Sequence, residues 1–165
     1  MRGARWLMVF FLLVAGQSVA AQCLGNQDTV LSCTMRDGAR QVDVCIDGAD
    51  ITYAYGAPGA APELVLREPV ATVAHDPWPG VGRTIWEATT FINQGYAYEV
   101  AISVDRLDES APVQGSVTVM KAGETLARLH CDEPGTVIGI WAVADAKAAQ
   151  GVCWQPHLFQ WGKCD

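Results

Sequence analysis

Basic residues are scarce in this chain, and long apolar runs are absent past its opening segment. Its 165 residues include 11 Lys and Arg against 18 Asp and Glu, which argues against nucleic acid or an anionic membrane surface as a partner. No segment after the opening one reaches the roughly 20 apolar residues that a bilayer-spanning helix needs. Also missing are the P-loop, the dinucleotide fingerprint and the G-x-S-x-G nucleophile elbow. The stretch "GVGR" lacks a third glycine and leads into a strand, so it is no phosphate loop. Only three histidines occur, His75, His130 and His157, far apart and without a second ligand at helical or strand spacing. The cysteines follow no zinc spacing. The sequence therefore assigns no catalytic residue, no metal and no cofactor.

What is present begins with "MRGARWLMVFFLLVAGQSVAAQ", in which Arg2 and Arg5 precede an unbroken apolar run and then small residues. This is the pattern of a secretory signal peptide over residues 1–21, with cleavage after Ala20 or Ala21. A lipidated cysteine takes a small residue before it, and Gln22 stands before Cys23, so the expectation is an exported, periplasmic or secreted chain without a lipid anchor. Residues 22–165 then form a single β-rich domain. Without Arg2 and Arg5, nine basic residues remain against 18 acidic ones, a net charge of −9.

All six cysteines, Cys23, Cys33, Cys45, Cys131, Cys153 and Cys164, follow the signal, and in an oxidising compartment six implies three disulfides. Spacing alone leaves the pairing open. Cys153 with Cys164 is favoured because it would staple the tail. Cys33 can face Cys45 across a hairpin, with Cys23 competing for either.

Strand signals dominate the domain. "TVLSCTM" and "RQVDVCID" flank Asp37-Gly38, a hairpin turn; "DITYAYG" and "PELVLRE" flank a Pro- and Gly-rich turn. "RTIWEATTFIN" joins "GYAYEVAISVDR" through Asn93-Gln94-Gly95, and in the latter Tyr96, Tyr98, Val100, Ile102 and Val104 share one face. "GSVTVMKAGETLARLHC" breaks at Ala122-Gly123 into a fourth hairpin. The period changes after Pro134: Val137, Ile140, Trp141 and Ala144 recur at helical spacing up to Gly151. The expected fold is all-β, an antiparallel eight-stranded meander closed as a small barrel or folded as a sandwich, with one C-terminal helix and disulfides.

Candidate sites are few. His130 and Cys131 are adjacent on a strand and point to opposite faces, which works against a His-activated nucleophile. Glu87 and Glu99 lie on neighbouring strands and are the pair a glycan hydrolase would use, although two glutamates on a solvated sheet face are the commoner arrangement. The best binding candidate is "HDPWPGVGR", where Pro77 and Pro79 stiffen the chain around Trp78 while Gly80 and Gly82 allow the positive φ of a tight turn. Two outcomes stay open for Trp78: an exposed binding anchor, or a plug over the end of the barrel. Arg83, in an acidic chain, is expected to pair with a nearby carboxylate.

The signal, "VLSCT", "VDVCIDG", "ITYAYGAPGAAPEL", "GVGRTIWE", "GYAYEVAISVDRL" and "LARLHC" together resemble a group of small periplasmic proteins of Gram-negative bacteria. A remoter similarity is to the periplasmic lysozyme inhibitors, whose eight-stranded barrels insert a Ser-Gly-x-x-Tyr loop into the enzyme cleft. The counterpart here is Pro79-Gly80-Val81-Gly82-Arg83, which carries neither the serine nor the tyrosine. The resemblance implies an exported chain; the 75–83 loop and the acidic composition point to a binding or inhibitor-type module acting on a basic protein or an envelope glycan. The competing readings are a structural envelope protein and a hydrolase using Glu87 and Glu99.

Overall fold

A computed structural model describes Cys23, Gly25 and residues 27–164; the signal segment and its cleavage point lie outside the described residues. Among the described residues the fold is all-β and antiparallel, with one short helix, Ala142–Ala149, and three disulfides. A first meander runs through β1 (Asp28–Met35), β2 (Arg40–Asp47), β3 (Asp50–Gly56) and β4 (Leu64–Pro69). A second runs through β5 (Ala74–Asp76), β6 (Thr84–Asn93), β7 (Tyr96–Asp105), β8 (Gln114–Lys121) and β9 (Glu124–His130). The chain then returns to the first sheet as β10 (Val137–Ile138) beside β1, turns through helix α1 (Ala142–Ala149), and ends in a separate hairpin of β11 (Val152–Gln155) and β12 (Gln160–Lys163).

The eight expected strands are β1 to β4 and β6 to β9, and the four additional ones are all short. Eight strands became two sheets of five because β5 and β10 each extend one edge. The architecture is two five-stranded antiparallel sheets around one core, joined along one side by a bridge between Met35 and Cys131. Period-two alternation places one face of every long strand inside. Val42, Val44, Ile46, Ile51 and Tyr53 of the first sheet meet Phe91, Val100, Ile102 and Val117 of the second in one core. Tyr53 is the central contact between the layers, with ring centroids 5.6 Å from Phe91 and 5.8 Å from Tyr98. Burial, with Tyr55 and Tyr98 close by, holds its phenol well above the usual tyrosine range.

Two local expectations change. Cys153 and Cys164 are bonded, but Cys33 pairs with Cys131 rather than Cys45, and Cys45 takes Cys23. The reason is strand geometry. Cys33 is buried and Cys131 lies beside it where the two sheets join, whereas Cys33 and Cys45 sit in different rows, opposite Val42 and Thr29 respectively. The helix is also shorter than its hydrophobic spacing suggested. Val137 and Ile138 are captured by β1, and Gly139 presses so close to Thr29 that a Cβ there would collide with the Thr29 carbonyl oxygen. Helical geometry can begin only after that contact. The inward face of α1 is consequently Val143 and Lys147, while Trp141 is 40% exposed.

The Cys33–Cys131 bridge closes a loop with a sequence separation of 98, against 11 for Cys153–Cys164. Chain-entropy scaling gives about 5 kcal/mol for the first and about 3 kcal/mol for the second. Denaturant titrations of the Cys33→Ala/Cys131→Ala and Cys153→Ala/Cys164→Ala variants should show the first as the more destabilised, and native protein should present no titratable thiol.

Candidate functional site

Strand β6 carries Glu87, Thr89 and Phe91 on its inner face, so a carboxylate enters the core in the same row as an aromatic ring. Glu87 is 1% exposed. Ionised carboxylates at such depth need partners, and one comes from the start of α1. Trp141 N–H donates to Glu87 Oε2 at 3.0 Å. Trp141 is the helix N-cap, yet it has φ 72° and ψ −9°, and its side chain makes no capping bond. A cap residue normally takes an extended conformation and supplies its own acceptor. Here the acceptor is a carboxyl oxygen brought in by strand β6.

The other oxygen of Glu87 faces His75, on the adjacent strand β5. His75 Nε2 lies 3.9 Å from Glu87 Oε1, both side chains are 1% exposed, and neither of these two atoms has a hydrogen-bond partner. The rest of His75 is held tightly. Its Nδ1 is 3.0 Å from Thr89 Oγ1, its ring meets Trp161 at 5.7 Å, and its carbonyl accepts from Trp161 Nε1 at 2.7 Å.

Lys147 completes the buried polar group. It is 1% exposed and donates through Nζ to the carbonyls of Val73 (2.8 Å) and Ala71 (3.3 Å), with its ammonium 5.1 Å from the centre of the Trp161 ring. Burial pulls its pKa below the ordinary lysine value. Helix α1 and the tail hairpin are thereby fastened to the edge of the second sheet by polar contacts as well as by Val143.

Above this group lies the candidate loop. Trp78 is half-buried, and its indole N–H donates to Val81 O at 2.8 Å, so the turn is tied to itself. Gly80 and Gly82 adopt φ of 85° and 95°, values a side chain would resist. The Trp78 ring lies 6.3 Å from Trp141, and the Arg106 guanidinium stands 5.5 Å from its centre. Arg83 pairs with Asp105 at 2.6 Å, as its expected role requires, and hydrogen bonding to Leu107 N–H and to Arg83 holds the Asp105 carboxyl below its usual range. Val81 and Leu107 are 71% and 70% exposed where the Arg83 carbonyl accepts from Arg106 N–H. Trp78, Trp141 and Arg106 thus form an aromatic shelf bordered by two exposed aliphatic side chains.

Glu87 and Glu99 are not brought together. Glu87 pairs with Ile102 on the inner face, whereas Glu99 pairs with Thr90 on the outer one. The expectation that both sit on a solvated face fails for Glu87 for the same reason: its parity is that of Phe91. Among the described residues, no three His, Cys, Asp or Glu side chains gather as a metal cluster. Sequence reading missed Trp141, Glu87, Lys147 and Arg106 as neighbours of the loop, although the shared parity of Glu87 and Phe91 was a usable signal for one of them.

No family model, curated protein or solved structure matches this chain.

Two measurements probe the buried group. A residue in left-handed geometry is relieved by glycine, so Trp141→Gly should be more stable than Trp141→Ala by about 1 kcal/mol, the opposite of the ranking inside a helix and in the direction an N-cap position favours. Lysine held below its ordinary pKa of 10.5 leaves the folded state binding fewer protons than the unfolded chain at alkaline pH. Stability then rises with pH through that window. The difference in thermal midpoint between wild type and Lys147→Met should therefore shift in favour of wild type as pH is raised from neutral toward 10.5.

Proposed function

We propose that this protein is an exported, periplasmic or secreted, binding module of the inhibitor type, and that the Trp78–Trp141–Arg106 shelf is its recognition surface. The observation that carries this reading is Trp141: a large aromatic residue, 40% exposed, in a left-handed conformation with its backbone N–H bonded to buried Glu87. Backbone strain in a bulky residue persists only where its surroundings enforce it, and such positions concentrate at binding and active sites. A core side chain would gain nothing from this arrangement.

Recognition is favoured over catalysis because the acid–base pair beneath the shelf, His75 and Glu87, is sealed at 1% exposure. Tryptophan and arginine, bordered here by Val81 and Leu107, are the side chains most often found as binding hot spots. The acidic charge of the whole chain suits a basic protein partner by raising the encounter rate, and a lysozyme is the partner class that the sequence resemblance suggests. The three disulfides support folding in an oxidising compartment.

The competing reading, a structural protein whose loop is only a plug, draws on the half-burial of Trp78 and its bond to Val81. Calorimetric titration against lysozyme, together with affinity capture from envelope extract, separates the two. Under the binding reading, Trp141→Ala weakens the captured complex by about 1 to 3 kcal/mol and leaves the fold intact by circular dichroism. Unchanged capture by Trp141→Ala, together with a fall of many degrees in the thermal midpoint of Trp78→Ala, would establish the plug instead.

A further inference from the structure

On the outer face of the second sheet, three adjoining depressions of about 160, 260 and 320 Å³ share Ser103 and Gln114 at one junction and Gln114 and His130 at the next. Strand register explains the shape. Trp86, Ser103 and Gln114 form one cross-strand row, and Ala101, Ser116 and His130 fall in the next row on the same face. Small side chains on the two central strands leave a floor, with Trp86 rising on β6 and His130 on β9. Three strand spacings separate those walls, about 14 Å, more than the width of one sugar ring.

We propose that this trough is a binding site for a neutral oligosaccharide. Three features support that class of ligand. Trp86 is 39% exposed, although its neighbours on the sheet are small enough to have left room for a covering side chain. An indole face is the usual platform for the C–H face of a pyranose, since it presents apolar area at little entropic cost. Ser103, Gln114, Ser116 and His130 make no side-chain hydrogen bond among the described residues, so their donors and acceptors face the trough uncommitted. The charge is also telling: Asp105 at one end is bound to Arg83, Glu133 lies at the other end, and no Lys or Arg lines any of the three depressions. Phosphate, sulfate and uronate ligands would meet no Lys or Arg there. Hydroxyl groups would meet four hydrogen-bonding side chains and one stacking surface.

The trough is separate from the shelf, so its test does not depend on the recognition reading given above. Disulfide-intact protein is titrated with cellohexaose, chitohexaose, maltohexaose and xylohexaose, following heat and tryptophan emission, with a heparin hexasaccharide as the anionic probe. At least one neutral hexasaccharide should bind, with Trp86→Ala weakening it about tenfold or more. Ser116→Leu, which fills the floor without removing the aromatic wall, should abolish binding, and Trp141→Ala should leave it unchanged. Circular dichroism and thermal midpoints confirm that each variant is folded. The proposal is overturned if no neutral probe binds at about 10 mM, if heparin binds more tightly than every neutral probe, or if binding survives both Trp86→Ala and Ser116→Leu.

Discussion

The hydrogen bond from Trp141 N–H to Glu87 is the contact through which the second half of the molecule is organised. A carboxyl group buried this deeply is costly where its oxygens lack partners; Trp141 occupies Oε2, while Oε1 faces His75 at 3.9 Å without a hydrogen bond. The bond meets α1 at its N-cap, just past the Gly139–Thr29 contact that sets where the helix begins, and so ties β6 to the helix that carries Lys147. Lys147 in turn reaches the carbonyls of Val73 and Ala71, in the segment that links the two sheets. Trp161 closes over the same group from the tail hairpin. The sheets share a hydrophobic core independently of this contact, but the helix and the hairpin are oriented on that core largely by polar groups.

Such an arrangement explains which parts of the fold were legible in the sequence. Strands β1 to β4 and β6 to β9 announce themselves through alternation and through turns at Asp37-Gly38, Gln94-Gly95 and Ala122-Gly123, all local signals. The short strands do not, because β5 and β10 exist only by virtue of the edges they join. Val137, Ile140, Trp141 and Ala144 have genuine helical spacing, yet Val137 is taken by β1 before a helix can include it. Periodicity describes what a segment could bury; it cannot say which neighbour reaches it first.

The candidate site divides in the same way. The positive φ of Gly80 and Gly82 in the 75–83 segment and the pairing of Arg83 with an acid follow from residue types, and both are present in the structure. The company kept by Trp78 was not readable, since Trp141 and Arg106 arrive from segments 63 and 28 residues further along the chain. Glu87 was misjudged for a different reason. Composition places glutamate at the surface, whereas the parity of β6 places it inside, where the backbone N–H at the start of α1 gives one of its oxygens a donor.

The tail hairpin also bears on how the protein withstands proteases. Its tip is the most exposed apolar part of the described chain, with Leu158 at 63% and Phe159 at 78%, and loop tips of this kind are where proteases cut first. Cys153 and Cys164 bracket that tip from both sides. A single cleavage between them would leave two ends joined through sulfur, with β12 still paired to β11 and Trp161 still bonded to the carbonyl of His75. The protein could thus be nicked at its most vulnerable point and keep its architecture, so that loss of an intact chain on a denaturing, reducing gel would not report loss of the folded molecule.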